Sequence, residues 1–87
     1  MITEFAKAVR IPRQAILGKS RKREISDARE VCYLLLHESG LCYYTVGRIC
    51  GRTHATVISG IKRVKQLLEC GDKEIMRIYE QTKHIKR

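Results

Sequence analysis

From Thr3 to Thr82 the apolar residues of this chain recur at helical spacing, and no stretch alternates with the two-residue period of a strand. Its apolar surface must therefore be buried by packing helices on one another. The plainest case is Val57, Ile61, Val64 and Leu68, spaced by four, three and four, which stack on one face of a helix running from His54 to about Glu69 with Thr53 as its N-cap. At about 100° per residue, Ala55, Ser59, Lys62, Arg63 and Gln66 fall on the opposite side with Thr56 beside them, and His54 lies nearer the core edge than Ala55. That outer face is small at its N-terminal end and cationic farther along.

The other elements follow from caps and stops. Thr3 caps a short helix carrying Phe5, Ala8 and Val9; Pro12 ends it or starts the next, and Ile16 and Leu17 face inward in a short turn that Gly18 closes. Ser26 or Asp27 caps a longer helix to about Ser39, with Ala28, Val31, Cys32, Leu35 and Leu36 inward and Gly40 as a left-handed stop. Arg29 falls in its first turn, beside the preceding loop rather than deep in the core. A short helix from Tyr43 to Cys50 carries Val46 and Ile49 inward, Gly51 makes a turn, and Asp72 caps a last helix bearing Ile75, Ile78, Tyr79 and Thr82. The expectation is an all-α fold: one small helical bundle over residues 1–87, with a helix-turn-helix centred on Gly51.

Charge narrows the partner. Eighteen Lys and Arg against nine Asp and Glu give a formal net charge of +9, which favours a polyanion. No apolar run approaches the roughly 18 residues that span a bilayer, and no signal-peptide pattern opens the chain, so a soluble cytoplasmic protein on the nucleoid is expected rather than a membrane one. Lys19-Ser20-Arg21-Lys22-Arg23 puts four cations in five residues. Such a run is ordinarily a solvated loop; in a chain of this charge it also suits phosphate, or an arginine reaching into a minor groove. The run Gly51-Arg52-Thr53-His54-Ala55-Thr56-Val57 sets a glycine turn, polar side chains and a cap ahead of a basic amphipathic helix. That order suits a helix entering the major groove of duplex DNA by its N-terminus, with Lys62 and Arg63 meeting phosphates farther along. A structural helix more often carries mixed charge there, although a cationic outer face is also an ordinary solubility device.

Catalytic and metal chemistry find little support. His37, His54 and His84 have no glycine-bounded serine and no paired carboxylates in an apolar setting, so no enzyme is expected. Gly18-Lys19-Ser20 lacks the strand and preceding glycine of a nucleotide-binding loop. Cys32, Cys42, Cys50 and Cys70 are irregularly spaced without a Cys-x-x-Cys, and three of them occupy helix positions that look apolar, so buried free thiols are expected. Cys50 and His54 stand four apart with no second ligand pair to complete a zinc set. No cofactor and no metal are expected.

The run from Leu17 through Arg29, the helix to Leu36, then Val46-Gly47-Arg48 and Gly51 through Val57 resemble the C-terminal DNA-binding domain of the bacterial replication initiator DnaA, over nearly the whole chain. The resemblance implies the small all-α, Trp-repressor-like bundle called DnaA domain IV, binding double-stranded DNA as a monomer in replication initiation control or transcription regulation. Carried over by position, it implies Arg21 in the minor groove with Lys19 and Arg23 on the backbone. It further implies Arg29 on phosphate, Tyr43 and Tyr44 on the backbone, and base reading by Arg52, Thr53, His54, Ala55 and Thr56, with Lys62 and Arg63 beyond. The chain departs from that pattern in having only Gly51 before Arg52, Thr53 in place of an aspartate, and Ala55 in place of a threonine. It also carries no ATPase motif, so DNA addressing without origin melting is the expectation. The alternative is a protein-interaction module of the same fold that offers Tyr43, Tyr44 and the basic face to an acidic partner such as a replication protein. A chelator is expected to leave circular dichroism and the melting temperature unchanged, whereas a shifted melt would revive a site at the cysteines and His54.

Overall fold

A computed structural model describes residues 2–85. Six helices follow one another: α1 Ile2–Val9, α2 Arg13–Leu17, α3 Arg23–Glu38, α4 Tyr43–Cys50, α5 His54–Cys70 and α6 Lys73–Thr82, with a 3₁₀ turn at Lys83–Ile85. Every helix gives the common core a side chain that is at most 1% exposed: Phe5, Ile16, Val31, Val46, Val57 and Ile75. The helix α3 is the axis of the bundle and packs on each of the other five.

The tightest association is α3 on α5. A Cβ at Gly60 would stand 3.0 Å from Tyr33 Cδ2 and 3.2 Å from Glu30 Cγ, so the absent side chain is what lets the helices come so close. Beside this contact lies a charged one. The Asp27 carboxylate, 2% exposed, accepts a 2.9 Å hydrogen bond from Arg63 Nη1, which also donates to Glu30. Arg23 Nε approaches Asp27 at 3.5 Å. Burial pulls the Arg63 guanidinium down, and its bonds to Asp27 and Glu30 more than offset that, so the side chain is firmly cationic.

Several sequence expectations are corrected here. Neither Ser26 nor Asp27 caps α3: the Ser26 N–H already donates to the Lys22 carbonyl at 2.8 Å, so the helix begins at Arg23 without a side-chain cap, and the Asp27 carboxylate is committed to Arg63 instead. Thr3 does not cap α1, which starts at Ile2. Ile49 is 44% exposed; α4 packs through Val46, Gly47 and Cys50, which turns Ile49 to the rim with Leu36 and Leu41. Cys32 and Cys50 are buried thiols as expected, but Cys42 and Cys70 are exposed, one ahead of α4 and one at the last turn of α5. The caps at Thr53 and Asp72 are present, accepting from the backbone N–H of Thr56 and Ile75.

Arg63→Ala is expected to cost about 1–3 kcal/mol in urea unfolding, since it strips a buried carboxylate of its best partner, discounted because the arginine itself is partly in solvent. Glu30 carries a pH signature. Burial raises its carboxyl above the ordinary range despite the opposing pull of Arg63, so the folded chain holds that proton more tightly than the unfolded one. The stability this contributes is full below the ordinary glutamate pKa and is lost as pH rises through the raised folded value. Relative to Glu30→Gln, the native chain should therefore lose stability between about pH 4 and neutrality; a gain over that range would mean that Arg63, not burial, governs the group.

Candidate nucleic-acid interface

The turn between α4 and α5 is built by two glycines with different duties. Gly51 ends α4 in the left-handed region at φ 68°, a conformation that costs a side-chain-bearing residue about 1–2 kcal/mol. Gly47 makes room: a Cβ there would stand 2.5 Å from the Arg52 carbonyl oxygen, and the Arg52 N–H donates to the Gly47 carbonyl at 2.8 Å. The chain then enters α5 at Thr53, whose hydroxyl accepts from the Thr56 N–H at 3.3 Å and lies 3.0 Å from the Thr56 hydroxyl. His54, Ala55 and Thr56 are all exposed, so His54 is not drawn toward the core as the helical wheel suggests. Tyr44, 63% exposed, holds its ring 6.2 Å from that of His54.

The basic loop meets this turn. Arg29, only 9% exposed, donates from Nε to the Ile16 carbonyl at 2.7 Å and from Nη2 to the carbonyls of Ser20 at 3.2 Å and Ala15 at 3.4 Å. Arg52 Nη2 donates to the Gly18 carbonyl across 34 positions of sequence. Lys19, Arg21 and Lys22 remain exposed. Between loop and turn lies a concave notch of about 490 Å³ lined by Lys19, Ser20, Arg21, Ser26, Arg29, Gly51, Arg52, Thr53 and Thr56. Its chemistry is that of an anion cradle: cationic side chains, hydroxyl groups and the amino end of a helix.

Of the residues singled out from sequence, Lys19, Arg21, Arg29, Arg52, Thr53 and Thr56 converge on this notch, and His54 and Ala55 stand exposed on the same turn of α5. Arg29 sits deeper than its sequence position suggested, in the second turn of α3. Tyr43 is half-buried and stacks on His37 at 4.2 Å, leaving Tyr44 as the exposed ring. Lys62 is exposed along α5. Two cations lie elsewhere. Arg23 opens α3 instead of closing the loop, within 3.5 Å of Asp27 and 3.7 Å of Asp72, and Arg63 faces α3 rather than outward. Ser26 was overlooked; its place three residues before Arg29 on the same helix face was the available signal.

Thiol chemistry is separate from this surface. Burial pushes the Cys32 thiol up to about 12 and raises that of Cys50, while a hydrogen bond from the Thr45 side chain lowers that of exposed Cys42. Among the described residues no three His, Cys, Asp or Glu side chains group to hold a metal ion.

Comparison with known proteins bears on this arrangement of loop, turn and helix. The family described as the bacterial dnaA protein helix-turn-helix matches residues 1–64, from α1 to within α5. The chain belongs to that family. The chromosomal replication initiator protein DnaA of Mycoplasma pneumoniae is 30% identical over 73 residues, 83% of this chain and 17% of that protein. The protein of the same name from Leptospira biflexa is 40% identical over 60 residues, 68% of this chain and 14% of its own length. A DnaA 2 from Chlamydia caviae is 34% identical over 76 residues, 86% of this chain and 16% of its own. The chain thus spans about a sixth of the length of these DnaA relatives. In this DnaA-family helix-turn-helix, Gly47→Ala should cost about 1–3 kcal/mol by forcing the turn off α4. Urea unfolding with amide hydrogen exchange at residues 51–56 checks this, and unchanged protection there would show that the turn accepts a Cβ.

Proposed function

We propose that these 87 residues form a single sequence-preferring binder of double-stranded DNA, acting in the control of chromosomal replication initiation. The observation that carries the reading is the convergence of two segments some thirty positions apart: the exposed N-terminal turn of α5 and the cationic loop share one concave surface. In this reading α5 enters the major groove by its N-terminus. His54, Ala55 and Thr56 face base edges, Lys62 meets a phosphate as the helix leaves, and Arg21 with Lys19 follows the backbone or the adjacent minor groove. One chain supplies both groove contacts, so binding as a monomer needs no two-fold partner, and the nucleoid is where it acts. Regulation of transcription from the same DNA sites is compatible with this chemistry. Family membership supports the reading, since the relatives are named chromosomal replication initiators.

Thr53 shapes the preference. An aspartate there would offer a carboxylate to a cytosine amino group, whereas the threonine hydroxyl both donates and accepts, so the preferred site should differ from one read by a carboxylate. Selection from random duplexes at physiological salt, followed by titration of single variants, tests the proposal. His54→Ala and Thr56→Ala should each cost about 1–3 kcal/mol on the selected site and much less on random duplex, with melting unchanged. Parallel losses on both duplexes would remove the base-reading role. Binding of an acidic replication protein that survives excess duplex would instead favour the protein-interaction module.

A further inference from the structure

We infer that Arg29 and Arg52 are positioning residues that clamp the basic loop by its backbone carbonyls, rather than direct contacts to the anion the loop binds. The inference deepens the DNA-binding reading and rests on it. Four carbonyls at the end of α2 and in the loop, those of Ala15, Ile16, Gly18 and Ser20, accept from just two guanidinium groups. The carbonyls of Ala15 and Ile16 belong to the last turn of α2, where a helix runs out of intrahelical donors; that of Ala15 also accepts from the Gly18 N–H at 3.3 Å. Gly18 and Ser20 lie in the loop itself and have no helix to satisfy them. Arg29 takes three of these oxygens from below, through α3; Arg52 takes the fourth from the side, out of the α4–α5 turn.

Two consequences follow from this geometry. Drawing the carbonyls inward leaves Lys19, Arg21 and Lys22 with their side chains in solvent, so the loop presents cations at fixed positions without any apolar anchor of its own. And because Arg52 lies immediately before the α5 cap, the loop is registered against the N-terminal turn of α5. The two elements proposed to enter neighbouring grooves are thereby held at one spacing before DNA arrives, which lowers the ordering cost of binding.

A guanidinium can do this and an ammonium cannot. Arg29 uses two nitrogens of a planar fork to reach oxygens at the end of α2 and within the loop, whereas the three donors of a lysine all radiate from one nitrogen. A phosphate contact, by contrast, is largely satisfied by either cation. Arg→Lys substitution therefore separates the two roles.

The test uses Arg29→Lys, Arg52→Lys and Arg29→Gln, with Arg21→Ala as a variant that removes a cation without touching the clamp. Limited trypsin digestion of the free proteins reads cleavage after Lys19, Arg21 and Lys22 against thermal melting, and duplex affinity is titrated at several salt concentrations. Both lysine variants should melt cooperatively yet be cut in the loop about tenfold faster, and bind duplex about tenfold more weakly with the salt slope nearly unchanged, the size expected for losing one or two charge-assisted hydrogen bonds. Arg21→Ala should keep the loop protected and lose about one unit of slope. The clamp is overturned if Arg29→Lys binds as tightly as the native chain while Arg29→Gln loses a unit of slope, or if loop protection is native in both lysine variants. Should Arg29→Lys fail to fold, Arg52→Lys, at a half-exposed position, gives the same two readouts. The digestion arm needs no DNA, so an absence of duplex binding by the native chain would sink the functional reading without deciding the clamp.

Discussion

The position of α5 depends on one crossing. Where α3 and α5 meet, Gly60 opens the space that Tyr33 fills, and immediately beside it a carboxylate sealed from solvent, Asp27, is met by Arg63. The apolar part of the contact is non-directional and would tolerate sliding. The charged part would not: an Asp27 oxygen displaced from Arg63 would be a buried charge without its main partner, at a cost of about 1–3 kcal/mol with Arg63 itself partly in solvent. The pair therefore acts as a register pin. It sets how far along α3 the N-terminal turn of α5 sits, and so sets the distance between that turn and the loop that precedes α3.

The same pairing changes how the net positive charge should be read. In the sequence, Lys62 and Arg63 look alike, neighbours on an outer face, and Arg23 looks like the end of a cationic loop. In the folded chain Arg63 and Arg23 have carboxylate partners on α3 and at the start of α6, while Lys19, Arg21 and Lys62 stand in solvent. A cation already held by a carboxylate releases fewer counterions when a phosphate approaches, so the electrostatic footprint is narrower than the count of lysines and arginines suggests.

What the sequence disclosed and what it hid divide along a physical line. Features set within one helical turn were legible: the Thr53 and Asp72 caps, the turn at Gly51, and the inward stripe of Val57, Ile61 and Val64 all depend on residues three or four apart. Features set by partners far along the chain were not. Asp27 has the composition of a cap and becomes a core carboxylate only because Arg63, 36 positions on, lies over it. Arg29 looks like a phosphate ligand and Arg52 like a base reader until the carbonyls of the loop are placed next to them. Ile49 failed for a related reason, since a short helix has too few turns for apolar spacing to say which of two adjacent stripes faces the bundle. The resemblance drawn from the loop, the Ala28-Arg29 pair and the Gly51–Val57 run supplied the family correctly, and it was the individual duties of the arginines that needed coordinates.

The Thr53 cap has an evolutionary consequence. Helix capping at that position is served by threonine, serine, aspartate or asparagine alike, and each offers a different pattern of donors and acceptors outward. His54 and Ala55, exposed beside it, carry no burden of core packing. On the proposed DNA-binding reading, substitutions at these three neighbours redirect what the helix end prefers while leaving its folding nearly untouched. A scaffold whose reading surface is this separable from its stability can drift toward new addresses one residue at a time, without passing through unfolded intermediates.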